Sequence, residues 1–561
     1  MKFSEMPYTR PDLDKTQLVV DGLIEQLKSA DSAEKAKEAF LKIDEEGEQV
    51  ETMGTLAHIR QSLNTTDEFY KQEKEFFDNA EPIFKGLMQK AALAIFSSPF
   101  RGEIEKDWGS LMFKNIEIAL RTFKPEIIPD LQEENKLVTE YENLLASAKI
   151  EFDGKILNIS QITPYLESPD RETRKGAAFA KAEWFNANKE YLDEAYDKLV
   201  KLRALIAKKL GYKSFLDLGY DRMGRNCYDA KMVAEFRNGV KTHIVPVTNR
   251  LKAEQAERIG VPRIEFYDNT YSFPDGNPKP QVPKDEIFRL GRQMYHELGE
   301  DTGDFIDTLL DNELLDVDSK PGKSVGGYCA YISGYKVPFI FANFNGTAGD
   351  IDVLTHEAGH AFADYLSRDL KPSALKQYRM ETAEVHSMSM ELFTRPWMDG
   401  FFGKDTEKYK YYQLADALIF IPYGTMVDEF QHVVFENPDM TPKERNDAWL
   451  ALEGAYRPYL HLEETPFFNE GRGWQAQHHI YSLPFYYIDY CLAQTMALSF
   501  WVEDQKGHDA AWAKYHRFVS LAGTKTFTEL VADAGLASPF EPGSLHGIAN
   551  AVKDWLDKNP R

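Results

Sequence analysis

Two histidines four residues apart enclose a glutamate in the stretch His356-Glu357-Ala358-Gly359-His360. The surrounding residues VLTHEAGHAFADYL favour a helix and contain no proline. Residues four apart on a helix lie one turn above each other, so both imidazoles point to one place and can share a metal ion. Glu357, about 100° around the helix from His356, can then hold a water without binding the metal.

A catalytic zinc ion takes three protein ligands and keeps one position open for water. The pattern HExxHxxGxxH is excluded, because Ala363 and Leu366 stand where it needs glycine and a third histidine. The next predicted helix, QYRMETAEVHSMSMELF, offers four candidates, and the residues alone do not choose among Glu381, Glu384, His386 and Glu391. Asp352 and Asp364 lie one turn from the histidines, where they can orient the rings.

The spacing of these residues resembles the thimet oligopeptidase and oligoendopeptidase F family of zinc peptidases. His360 is followed, after 23 intervening residues, by Glu384, and Glu391 stands seven residues further on. The resemblance implies that His356, His360 and Glu384 bind one zinc ion per chain. It therefore favours Glu384 over Glu381 as the third ligand.

A second match to the family lies in HHIYSLPFYYIDY, from His478 to Tyr490. In the family, a histidine and a cluster of tyrosines face the zinc and donate hydrogen bonds to the developing oxyanion. The resemblance assigns this role to His479, Tyr487 and Tyr490. A shift of one residue would put His478 in place of His479, and the sequence leaves that choice open.

The elements that must position these residues are mainly helices, because apolar residues recur at three- and four-residue intervals along most of the chain. Thr65 and Glu68 form a predicted capping box at the start of one helix. Just before the histidines, the segment from Val325 to Phe344 is rich in aromatic and β-branched residues around Ser333-Gly334, which predicts a β-hairpin. An open strand edge there could pair with an extended peptide.

The expected fold is a mainly α, zincin-type peptidase body that encloses a deep channel, with a small β-sheet beside the HExxH helix. The channel is implied by the family resemblance, and it would admit short flexible peptides and exclude folded proteins. We place a domain boundary near residue 165, which separates an N-terminal helical region (1–165) from a catalytic helical domain (166–561).

Composition excludes several other classes of function. A formal net charge of -24 repels phosphate backbones and anionic lipid, so we expect no nucleic-acid or membrane partner. The N-terminus has no apolar core typical of a signal sequence, and three well-separated cysteines suit a reducing compartment. The expected location is the cytoplasm, and the sequence does not indicate the oligomeric state.

The resulting hypothesis is a zinc metallo-oligopeptidase that cleaves internal bonds of short unstructured peptides. Glu357 would act as the general base toward a zinc-activated water. Two alternatives remain: a carboxydipeptidase with the same ligand spacing, which would release dipeptides from the C-terminus, and a catalytically inactive relative that only binds peptides. Zinc is an expectation, since a His2Glu site also binds cobalt or manganese.

Overall fold

Helices make up most of the chain, as the periodicity of its apolar residues predicts. The computed structural model describes residues 1–320, 322–324, 326–521 and 523–561. Val325, the first residue of the expected hairpin, lies outside the described residues. None of the helices in the described ranges combines the length and apolar character needed to cross a bilayer.

Six helices form the N-terminal part: the first five share a hydrophobic cluster around Val20, Ile43 and Ile95, and the sixth packs on the main core through Leu137 and Tyr141. They are α1 (Leu13–Lys28), α2 (Ala33–Leu63), α3 (Glu68–Phe96), α4 (Arg101–Trp108), α5 (Ser110–Arg121) and α6 (Ile128–Ala146). The capping box predicted for α3 is wrong, because its N-cap is Asp67, whose carboxylate accepts from the amides of Phe69 and Tyr70. The hydroxyl of Thr65 instead donates to the carbonyl of Gly322 at 2.9 Å.

A short antiparallel pair, β1 (Ile150–Phe152) and β2 (Lys155–Leu157), precedes the second group of helices. These are α7 (Thr163–Leu166), α8 (Arg171–Leu210), α9 (Phe215–Arg222), α10 (Ala230–Gly239), α11 (Val245–Arg258), α12 (Lys284–Leu298) and α13 (Glu300–Asp311). The proline-rich stretch between α11 and α12 is a loop with one short turn of 3-10 helix, because prolines disfavour a continuous helix.

The expected hairpin forms within the described residues and gains a third strand. β4 (Tyr328–Ile332) pairs antiparallel with β5 (Val337–Phe344), and the chain reverses between Ile332 and Val337. β3 (Leu315–Asp318), which the sequence pattern did not indicate, pairs parallel with the other side of β5. The strand order β3-β5-β4 leaves β4 at an edge of the sheet.

The C-terminal helices carry the residues singled out by their chemistry. They are α14 (Gly349–Ser367), α15 (Met380–Phe393), α16 (Met398–Phe402), α17 (Thr406–Glu436), α18 (Pro442–Tyr456), α19 (His478–Ser482), α20 (Tyr487–Asp504), α21 (His508–Leu521), α22 (Phe527–Asp533) and α23 (Ser544–Lys558). α15 is buried along most of its length and packs against both α14 and α20, while α14 also contacts β4 and β5. The main hydrophobic core therefore surrounds the helix that carries Glu384.

Candidate metal centre and active site

Two imidazoles on α14 and one carboxylate on α15 converge on a single point. The Nε2 atom of His356 lies 3.3 Å from Oε2 of Glu384, and that of His360 lies 3.6 Å from the same oxygen. One donor atom from each of the three residues lies within 4.8 Å of the other two. Of the four candidates on the second helix, Glu384 has an oxygen close to the Nε2 atoms of both histidines, whereas Glu391 contacts the opposite side of the His356 ring at Nδ1.

The donor geometry fits a zinc ion. Two ligands at about 2.0–2.1 Å from a tetrahedral zinc are about 3.3 Å apart, close to the two nitrogen–oxygen separations seen here. Two imidazole nitrogens and a carboxylate oxygen are also a donor set that zinc binds in catalytic sites. The three side chains are therefore arranged as ligands of one ion.

The pKa shifts of these groups also favour a bound cation. Burial opposes ionisation of Glu384, but the neighbouring imidazoles of His360 and His356 hold its pKa well below the usual range. Burial also disfavours charge on His356, yet its contacts with Glu384 and Glu391 raise the pKa of that imidazole well above its ordinary value. The carboxylates thus attract positive charge to the point between the two rings, where a divalent cation would replace a proton.

Neighbouring side chains orient two of these donors. Nδ1 of His356 lies 2.6 Å from Oε1 of Glu391, a contact that turns the Nε2 atom of the ring toward Glu384. Oε1 of Glu384 accepts a hydrogen bond of 2.5 Å from the Tyr486 hydroxyl. Oε2, the oxygen that faces the histidines, accepts one of 3.0 Å from the Ser387 hydroxyl. No sequence pattern indicated an orienting role for Glu391 or Tyr486.

The orienting role expected for Asp352 and Asp364 is wrong. Asp352 accepts a hydrogen bond from the hydroxyl of Tyr409. Asp364 accepts one from the hydroxyl of Tyr378 at 2.8 Å. Both acids are one helical turn from a histidine, but their side chains turn toward neighbouring tyrosines and not toward the rings.

The glycine in the HEAGH stretch permits the close packing of α14 on α15. A Cβ atom on Gly359 would lie 2.6 Å from the carbonyl oxygen of His386 and 2.6 Å from the Cα atom of Ser387. Both obstacles are backbone atoms, so a larger residue would push the two helices apart. No sequence pattern indicates this requirement, because it depends on a neighbour 27 residues away in the chain.

Gly359→Ala is therefore expected to destabilise the protein by about 1–3 kcal/mol, the usual cost of overpacking. It should also weaken metal binding, because Glu384 moves with α15. The measurements are the midpoint of thermal unfolding and the metal content after dialysis. Gly22→Ala is the control, since Gly22 lies in α1 with nothing near its Cβ position and should gain about 0.5–1 kcal/mol. A Gly359→Ala protein with unchanged midpoint and metal content would contradict this account.

Glu357 lies beside the three donors without a fixed partner. Its side chain is buried, and its Oε2 atom makes no hydrogen bond among the described residues. Burial raises the pKa of this carboxyl, while the nearby histidines oppose the rise. A Cβ atom on Gly327, just before the edge strand β4, would lie 3.5 Å from Oε1 of Glu357. The carboxyl group thus stands between the donor cluster and the strand edge.

Four aromatic residues from α19, α20 and the segment between them cluster near Glu384. The His479 ring centroid lies 5.6, 5.0 and 5.8 Å from those of Tyr486, Tyr487 and Tyr490. Burial, together with the charges of Glu384 and Glu357, raises the pKa of Tyr490, so its hydroxyl stays protonated and can donate. His479, Tyr487 and Tyr490, to which the family resemblance assigns one role, therefore lie together.

Exposure and hydrogen bonding distinguish His479, which lies in the aromatic cluster, from His478. His478 is exposed, whereas His479 is half-buried among the tyrosines. The Gln477 side chain accepts from the Tyr423 hydroxyl at 2.8 Å, and its amide nitrogen lies 2.7 Å from Nδ1 of His479. Burial lowers the pKa of His479 to about 3, so the ring is neutral and Nε2 carries the hydrogen. No sequence signal indicated Gln477 or Tyr423.

A cavity of about 390 Å³ opens beside this cluster. It is lined by residues of α14, α15, α17 and α20, and by His479 of α19. Its volume lies within the roughly 300–1,000 Å³ typical of ligand sites. The aromatic cluster and Glu391, which contacts His356, therefore border a space that a ligand can enter.

Comparisons with known proteins agree with this arrangement. The family model described as the peptidase M3 N-terminal domain matches residues 3–123, and that of peptidase family M3 matches residues 164–549. A solved structure of Pz peptidase A with an inhibitor is 47% identical, covers 99% of this chain and 99% of its own, and has a TM-score of 0.97.

Two curated relatives are more distant. Oligopeptidase PepF of Bacillus subtilis (strain 168) is 23% identical over 469 residues, which are 76% of this chain and 67% of that protein. An oligoendopeptidase F homolog of Borreliella burgdorferi is 24% identical over 407 residues, which are 69% of this chain and 67% of that protein.

The expected family, the mainly helical fold and the metallo-oligopeptidase activity are confirmed, and a metal cofactor follows from them. The domain boundary near residue 165 stays a prediction. Since one family model matches more than half of the sequence and a solved relative superposes along nearly all of it, this chain belongs to peptidase family M3.

Proposed function

We propose that this protein is a zinc oligoendopeptidase in which His356, His360 and Glu384 bind one zinc ion per chain. The observation that supports this most is the convergence of those three donors beside Glu357, a buried carboxyl group with one free oxygen. When bound, zinc lowers the pKa of a coordinated water toward 7 and polarises a carbonyl group.

The protein's own residues supply the proton transfers. Glu357 accepts the proton of the attacking water and returns it to the leaving nitrogen, as a general base that then acts as a general acid. Burial already raises the pKa of this carboxyl, so it holds a transferred proton more readily than an exposed glutamate does.

The aromatic cluster stabilises the negative charge that develops on the substrate carbonyl oxygen. Tyr487, Tyr490 and the Nε2–H group of His479 act as hydrogen-bond donors, each worth about 3–4 kcal/mol in the transition state. Tyr486 has a different role, because its hydroxyl donates a hydrogen bond to Glu384. It holds the metal-binding carboxylate in place.

The open edge of β4 binds the peptide backbone. This edge has no neighbouring strand among the described residues, and the strand contacts α14. An extended peptide could add to the sheet there and bring its carbonyl groups past Glu357. The substrates are short, unstructured peptides. Three unpaired cysteines support a reducing compartment, which we take to be the cytoplasm.

The test of this proposal is product analysis of a short peptide blocked by N-acetylation and C-amidation, incubated with the zinc-loaded enzyme. Cleavage at an internal bond is expected, because recognition through a strand edge needs no free terminus. A carboxydipeptidase needs a free C-terminal carboxylate, so it would leave this peptide intact and release dipeptides stepwise from the unblocked version. Mass spectrometry of the early products distinguishes the two, and stepwise dipeptide release would contradict the proposal.

A further inference from the structure

The cavity beside the aromatic cluster of His479, Tyr487 and Tyr490 has features that suit a positively charged ligand. Two carboxylates, those of Glu391 and Asp416, line it together with aromatic and apolar side chains, and so does Asp352, which stays protonated because burial raises its pKa to about 8. None of the described residues that line it is a lysine or an arginine. An anionic cavity without a resident cation attracts positive charge from the solvent.

Asp416 is the acid among the three that has no partner. Asp352 is bound by the Tyr409 hydroxyl, and Glu391 by the ring of His356. Asp416, on α17, is accessible to solvent and makes no ion pair among the described residues. Lys252 lines a neighbouring cavity together with Asp416 and acts on it electrostatically, but its ammonium group donates to the carbonyl oxygen of Asn269 at 2.7 Å.

A buried amide in the same cavity also lacks a partner. Gln494 is only 7% exposed, lines the cavity and makes no hydrogen bond among the described residues. Its amide oxygen is a strong acceptor, and an ammonium or guanidinium group carries only donors. Because this side chain lines the cavity, its amide is available to a ligand with a complementary polar group.

The walls suit the rest of a long cationic side chain. Phe420 and Tyr487 line the cavity, with ring centroids 5.9 Å apart, and Met388 and Leu392 add apolar surface. Lysine and arginine bury their methylene stems against such surfaces while the charged end stays polar. Aromatic faces also attract the cation directly.

We propose that this cavity is a specificity subsite that selects a lysine or arginine side chain close to the scissile bond of the peptide, with Asp416 as its counter-ion. The inference rests on the proposed function, because the cavity matters for specificity only if peptides are cleaved at the neighbouring cluster. It adds a substrate class to that function. The net charge of -24 favours the same peptides by attracting them to the enzyme.

The experiment compares pairs of N-acetylated, C-amidated peptides that differ at one position only, which holds arginine in one peptide and leucine in the other. A separate pair is made for each position on either side of the cleaved bond. The zinc-loaded wild-type enzyme should prefer arginine at one position. Asp416→Asn should lower the arginine-to-leucine ratio of kcat/KM there by about tenfold or more, the usual effect of losing a charged hydrogen-bond partner. A third peptide with glutamate at that position completes the set, and Asp416→Lys should prefer it over the arginine peptide.

Glu436→Gln is the matched control, because Glu436 is an exposed acid at the end of the same helix and its loss changes the net charge equally. Its ratio should equal that of the wild type. An unchanged ratio in Asp416→Asn would overturn this inference and leave the peptidase proposal intact. The same leucine peptides without the N-acetyl group extend the test. If they are preferred as strongly as the arginine peptides, the ligand is the terminal ammonium, and the inference is overturned. Failure of the wild type to cleave any peptide would overturn both proposals.

Discussion

Glu357→Gln is expected to lower kcat by about 10²–10⁴-fold, the range attributed to one general acid–base group. The amide has almost the same shape as the carboxyl group but cannot accept the proton of the attacking water. Since Oε2 of Glu357 makes no hydrogen bond among the described residues, the substitution breaks no contact of the fold at that atom. The metal content and the thermal midpoint should stay at their wild-type values.

The loss must therefore appear in turnover alone. Steady-state kinetics on a quenched peptide give kcat and KM, and elemental analysis of the same sample gives the zinc content. KM is expected to change little, because Glu357 acts on the water and not on the bound peptide. A Glu357→Gln enzyme that cleaves at the wild-type rate would show that another group is the base.

Glu384→Gln is expected to abolish stable metal binding and, with it, activity. Changing a residue that only orients a metal ligand usually costs about 10–100-fold in affinity, so loss of the ligand itself should cost more. The amide removes the negative charge that the two imidazoles stabilise. Zinc titration followed by elemental analysis measures the effect.

Glu381→Gln provides a matched control on the same helix. Glu381 is equally buried, but neither of its oxygens has a partner among the described residues, and burial raises its pKa to about 8. A protonated acid is thus replaced by a neutral amide of the same size, and the metal should remain bound. Equal zinc loss in the two variants would mean that the helix is sensitive to any change, and the assignment of Glu384 would fail.

The sequence predicted the parts of the site that depend on local periodicity. A helix places His356 and His360 on one face wherever it packs, so their convergence needs no tertiary information. Glu384 was different, because residue patterns left four candidates on α15, and the family spacing selected the one whose carboxylate forms a three-donor group with both histidines.

The parts that the sequence did not predict depend on contacts between distant elements. The close approach at Gly359 and the parallel pairing of β3 with β5 arise only when separate segments pack together. For Asp352, the position one helical turn from His356 was predicted correctly, but the partner of its side chain was not. The carboxyl group accepts a hydrogen bond from the Tyr409 hydroxyl of α17. Likewise, Gln477 gained its role through Tyr423, a residue 54 positions earlier.

The most direct test of the central claim is the position of the metal itself, found by anomalous X-ray diffraction at the zinc edge from crystals of the zinc-loaded wild-type protein. The account predicts one strong peak bonded at about 2.0–2.2 Å to a nitrogen of His356, a nitrogen of His360 and an oxygen of Glu384. A peak bound elsewhere, or one at the histidines with the Glu384 carboxylate turned away from it, would contradict it.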